Sequence, residues 1–63
     1  MEIYLVMSEQ TSPKNKRTVV LVEAAFVDGV AAEEFAAQEQ SDADKQQLHT
    51  TYYVDSVWVN GLS

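Results

Sequence analysis

Only one long stretch of this sequence carries helical spacing with an apolar side, whereas three carry strand-like alternation, and all three are rich in apolar residues on both of their alternating sides. A helix covers one face of a sheet. A fold built from these elements therefore leaves a second apolar face that nothing else in the chain can shield.

The first strand pattern is short, with Ile3, Leu5 and Met7 alternating against Tyr4 and Val6. The polar segment from Ser8 to Lys16 contains Pro13 and Asn15 and reads as the loop of a loose hairpin. From Thr18 to Phe26 the β-branched content is high, with Val20, Val22, Ala24 and Phe26 predicted on one face and Val19, Leu21, Glu23 and Ala25 on the other. Asp28 stands where an N-cap belongs, since its carboxylate can accept a free N–H of the first turn. The run Val30 to Gln40 is the predicted helix, with Ala31, Ala32, Phe35 and Ala36 inward and Glu33, Glu34 and Gln38 outward.

Ser41, with Asp44 three residues later, predicts a second short helical turn. Thr50 to Asn60 is the third strand, with Tyr53, Val57 and Val59 on one face and Tyr52, Val54, Ser56 and Trp58 on the other. Asn60-Gly61 is a turn signal before a Leu62-Ser63 tail. The order β-β-α-β predicts a single α+β domain over residues 1–63, a three-stranded antiparallel sheet in the order 2-1-3 with one helix packed on one face. The uncovered face is expected to draw on Tyr4, Val6, Val19, Leu21, Tyr52 and Trp58.

A chain of 63 residues buries only roughly 60% of the surface it exposes when unfolded, and small scaffolds commonly compensate with disulfides or zinc. This one has no cysteine and a single histidine, His49, so neither staple is available. Extra burial, for example through a partner, would therefore help, and a homodimer that covers the open face is expected.

Ten acidic residues against four basic ones give a formal charge of −6. Lys14, Lys16 and Arg17 are clustered, while Asp28, Glu33, Glu34, Glu39, Asp42 and Asp44 follow one another with no positive charge until Lys45. Such a field repels phosphates, which argues against direct nucleic-acid binding and against anionic membranes. The opening Met1–Met7 lacks a basic n-region and its apolar run is too short for a signal peptide or membrane span, so a cytoplasmic location is expected.

No catalytic motif is present. His49 has Asp55 and Ser56 nearby in sequence, which suggests a triad, but no nucleophile elbow or glycine-rich oxyanion loop accompanies them. Asp42 and Asp44 with His49, or Glu33 with Glu34, lack the spacing of a calcium loop, and the only glycines, Gly29 and Gly61, form no phosphate cradle. No catalytic, cofactor or metal residue is assigned.

The segments Ile3-Tyr4-Leu5-Val6, Phe26-Val27-Asp28, Ala32-Glu33-Glu34-Phe35 and Tyr52-Tyr53-Val54-Asp55 together resemble a family of very small phage and bacterial β-β-α-β proteins of unassigned activity. The polar stretch 40–50 is longer than that family's usual link. Size and acidity are also similar to those of phage anti-defence proteins, including anti-CRISPR proteins. The resemblance implies a phage or mobile-element origin and no particular site residue.

The expected function is a non-enzymatic acidic protein-binding module that docks on a basic, nucleic-acid-binding surface of a host defence protein such as a CRISPR effector and inhibits it. Two sets of residues are candidates for the contact. Asp28, Glu33, Glu34, Glu39, Asp42 and Asp44 can imitate a row of phosphates or simply solvate the helix. Tyr4, Tyr52 and Trp58 can form an exposed partner or homodimer surface or simply fill the core. The alternative is a structural homo-oligomer with no inhibitory role.

Overall fold

The computed structural model describes residues 1–60 of the chain. It contains strands β1 (Glu2–Thr11) and β2 (Thr18–Phe26), helix α1 (Gly29–Lys45) and strand β3 (Thr50–Trp58). The sheet is antiparallel throughout in the order β2-β1-β3, and α1 packs on one face, which is the expected α+β architecture. The Gly61 turn signal and the Leu62-Ser63 tail lie outside the described residues.

β1 is longer than its apolar pattern predicts, because the polar residues Ser8 to Thr11 pair on both sides, with β2 from Leu21 back to Thr18 and with β3 from Tyr52 to Thr50. Two neighbouring strands satisfy the backbone whatever the side chains prefer. The hairpin loop shrinks accordingly. The Ser12 N–H donates to the Arg17 carbonyl at 2.9 Å, the Lys16 N–H donates to the Ser12 carbonyl at 2.8 Å, and Lys16 takes the left-handed conformation with φ 56°.

Asp28 caps α1 as expected, its Oδ1 accepting the Val30 N–H at 2.9 Å. The predicted break at Gln40 does not occur. α1 continues through Ser41 as one 17-residue helix, because Ala43 buries its methyl and the polar residues pair one turn apart, Gln38 Nε2 to Asp42 Oδ1 at 3.2 Å and Gln40 Nε2 to Asp44 Oδ1 at 3.0 Å. The helix ends in a Schellman motif: the Leu48 N–H donates to the Ala43 carbonyl and the Gln47 N–H to the Asp44 carbonyl, with Gln47 left-handed at φ 57°.

The core between helix and sheet is thin. Val6, Ala32 and Ala36 are its buried members, flanked by Tyr4, Ala24, Phe26, Phe35, Tyr52 and Val54. Phe26 and Phe35 meet with ring centroids 5.5 Å apart and tilted by 52°. Alanine on the inner helix surface lets the backbone approach closely, and at the N-terminal end Gly29 does the same, since a Cβ there would lie 3.1 Å from the Tyr4 ring.

The accessible surface is 4809 Å², whereas a compact monomer of 7.0 kDa exposes about 4,000 Å². The radius of gyration, 13.5 Å, likewise exceeds the roughly 11 Å of a compact 63-residue domain. The molecule is a thin slab.

Candidate protein interface

Val6 is fully buried under Ala32 and Ala36, which fixes the helix-covered side of β1 and, by alternation, the uncovered one. Residues paired across strands share a face. Ile3, Leu5, Met7 and Glu9 therefore face away from the helix together with their partners Val57, Asp55, Tyr53 and Thr51 on β3. On β2 the register slips between Val6 and Met7, so that Val6 pairs with Ala24 but Met7 with Val22, leaving Glu23 as the extra residue of a bulge.

That bulge corrects the predicted faces of β2. Ala24 and Phe26 turn under the helix, whereas Val20 and Val22 turn to the open face, because one inserted residue reverses every side chain beyond it. The open face thus consists of Ile3, Leu5, Met7, Val20, Val22 and Val57 with Tyr53 and Ala25, rimmed by the carboxylates Glu9 and Asp55. Val20 is 47% and Val22 57% exposed. None of the chain's four cations sits among these positions.

Tyr4, Val6 and Tyr52, expected on the open face, pack beneath the helix instead. Trp58 shares their side of the sheet, opposite Glu2, but is 72% exposed. Val19 and Leu21 also lie on the helix side, yet α1 sits over β1 and β3 and only brushes β2, so both stay half exposed. The six residues expected on the open face do share one side of the sheet, but it is the side that α1 covers; extending strict alternation across Glu23 tied Val20 and Val22 to Phe26 and so misplaced the β2 residues. A lone charge inside an apolar strand was the available signal of the bulge.

The six acidic positions do not form one patch. At 3.6 residues per turn, Glu33 and Asp44 fall on one flank of the helix, Glu34 on its outer surface, and Glu39 and Asp42 on the opposite flank. Their neighbours agree. Glu33 lines a shallow cleft of about 580 Å³ with Tyr4, Asp28, Val54, Asp55 and Ser56, and Phe35, on the Glu39 flank, rests on Phe26 of β2. Burial, followed by the charges of Glu23, Glu39 and Asp42, raises the Tyr52 phenol above its ordinary value. The Tyr4 hydroxyl donates to Glu2 Oε1 at 2.8 Å, and that hydrogen bond and the Glu2 charge, with lesser contributions from burial and Asp28, raise its pKa as well.

The two edges of the sheet differ. On β3, Gln40 Oε1 accepts the Tyr52 N–H at 2.8 Å and Gln40 Nε2 donates to the Thr50 carbonyl at 3.1 Å, while Asp55 Oδ1 accepts the Ser56 N–H at 2.8 Å. These are the outward groups of an edge strand. On β2 no side chain among the described residues bonds the corresponding groups.

His49 precedes β3 and is separated from Asp55 and Ser56 by about 20 Å of extended strand, so these three residues do not converge. Among the described residues, no group of three or more His, Cys, Asp or Glu side chains is placed to hold a metal ion, and no helix is long and apolar enough to cross a membrane. Comparison with protein-family models, curated proteins and solved structures gives no significant match.

Proposed function

We propose that this chain is a non-catalytic protein-binding module that docks through the open face of its sheet. One observation carries the reading: an apolar surface of Ile3, Leu5, Met7, Val20, Val22 and Val57, 40–57% exposed on its outer strands, is left uncovered by α1. Glu9 and Asp55 at the rim, with a net charge of −6, favour a partner whose apolar patch is bordered by lysine or arginine.

An inhibitor that presents carboxylates to the basic groove of a host defence protein is a narrower version of the same reading. Glu33, Glu34 and Asp44, all exposed on the helix, support it. Both versions are tested by immobilising the protein and comparing the proteins retained from a bacterial lysate. Tyr53→Lys with Val57→Lys removes the sheet contact, and Glu33→Lys with Glu34→Lys and Glu39→Lys reverses the helix. A salt-sensitive partner lost only with the sheet variant supports docking through the sheet. Loss only with the helix variant transfers the contact to the carboxylates, and a wild-type chain that retains nothing refutes the module.

A further inference from the structure

We infer that a second copy of this chain pairs with β2, edge to edge and antiparallel, joining two three-stranded sheets into one. The inference concerns the β2 edge, which borders the proposed docking face at Val20 and Val22, and does not depend on which partner that face takes. It starts from backbone groups. In an antiparallel ladder alternate residues point their N–H and C=O to the neighbouring strand and the others point away. The Ser12 N–H donates to the Arg17 carbonyl, so Arg17, Val19 and Leu21 face β1, and Thr18, Val20 and Val22 face outward.

β3 shows how this fold covers part of an edge: Gln40 occupies the Thr50 carbonyl and the Tyr52 N–H, and Asp55 the Ser56 N–H. Among the described residues β2 has no such cover, and its stretch Thr18–Val22 contains no proline and no charge before the bulge at Glu23. Exposed apolar edges of this kind are strand-pairing templates. Val19 and Leu21 on one side, and Val20 and Val22 on the other, are 47–57% exposed, so a strand laid alongside would cover apolar surface on both sides.

Charge selects the occupant and the register. The basic cluster Lys14, Lys16 and Arg17 lies at one end of β2, and Glu23 and Asp28 lie towards the other. Only antiparallel self-pairing brings opposite charges together. With Val20 on the two-fold axis, Val20 meets its own mate, Thr18 meets Val22, Val19 meets Leu21, and Arg17 meets Glu23. In this register the outward residues Thr18, Val20 and Val22 all exchange backbone hydrogen bonds with outward residues of the mate, and both Arg17–Glu23 pairs form. The axis runs perpendicular to the sheet, so the helices share one side and sit away from the seam, over β1 and β3. Every contact occurs twice, as an isologous interface requires.

Sedimentation equilibrium of the full chain is expected to show a concentration-dependent monomer–dimer equilibrium. Arg17→Glu should weaken it roughly tenfold, and adding Glu23→Arg in the same chain should restore it to within about threefold. The restoration excludes misfolding as the cause. Because the chain has no cysteine, Val20→Cys supplies a unique thiol whose mate lies about 5.5 Å away at the axis, and it should oxidise to a covalent dimer while Val57→Cys does not. A wild-type chain that stays monomeric at all concentrations overturns the inference. So does a dimer that Arg17→Glu leaves intact, or one that cross-links through Val57→Cys, which would place the open faces together.

Discussion

Gln40 reaches from the middle of the helix to the backbone of β3, where its carboxamide occupies one carbonyl and one N–H of the strand edge at 3.1 and 2.8 Å. Both bonds are half-buried, and the same Nε2 also donates to Asp44 Oδ1 at 3.0 Å on the exposed side of the helix, a contact of little net value. At a net value of about 1 kcal/mol each, Gln40→Ala should cost about 2 kcal/mol, reduced by a few tenths through the helix propensity of alanine. For a domain of this size that corresponds to a fall in melting temperature of roughly 8–15 °C. Thermal unfolding followed by circular dichroism at fixed protein concentration measures it.

Gln40→Glu is the sharper variant. Its carboxylate can still accept the Tyr52 N–H, but it opposes the Thr50 carbonyl and Asp44 with no proton to donate. The introduced carboxyl is therefore held above its unfolded pKa of about 4.3, so its contribution to stability is present below that value and lost as pH rises through the folded one. The variant should approach wild type in acid and resemble Gln40→Ala at neutral pH. A Gln40→Ala chain melting within about 2 °C of wild type would falsify the view that this side chain seals the edge.

Two further outcomes follow from the helix terminus and the half-buried Tyr52 phenol. Gln47→Gly should stabilise the chain by about 1 kcal/mol, because a left-handed φ of 57° strains any residue with a Cβ; urea unfolding reads the shift in midpoint. Tyr52 has a folded pKa raised by burial and then by Glu23, Glu39 and Asp42, so the stability it confers is complete below pH 10 and lost as pH rises through the raised value. Tyr52→Phe should make unfolding less sensitive to alkali, and an unchanged alkaline limb would show that Tyr52 ionises freely.

The elements were legible where the side chains themselves decide them. The β-branched run Thr18 to Phe26, the N-cap Asp28 and the alternation after Thr50 each appear in the structure where the sequence places them. Pairing partners could not be read in the same way. Ser8 to Thr11 belongs to a strand only because two neighbours flank it, and Ser41 to Lys45 stays helical because Ala43 finds a buried place and the glutamines bridge to aspartates. The candidate interface suffered most, since a single bulge at Glu23 decides which of the β2 valines face solvent. Gln40 was invisible for a related reason: its value lies in a strand edge remote from the helix pattern that explains its neighbours.

Side-chain size along the sheet bears on why such a chain would associate at all. Beneath the helix the inner surface is alanine, Ala32, Ala36 and Ala43, while Val20, Val22 and Val57 point to the open face and Trp58 stands clear of the helix. A small domain stabilised by its own core would place its largest apolar groups under its helix, because each buried branched side chain contributes about 1.5–3 kcal/mol and an alanine far less. Here Tyr4, Val6, Phe26, Phe35, Tyr52 and Val54 pack between helix and sheet, but the branched residues Val20, Val22 and Val57 turn to the open face and Val19 and Leu21 stay half exposed on β2. The chain has no disulfide, so another surface that covers those groups adds burial that its thin core does not supply. Pairing through β2 would cover the edge and leave the open face exposed, now twice as wide and still rimmed by carboxylates. The dimer and the foreign partner would then occupy different surfaces, and each could form in the presence of the other.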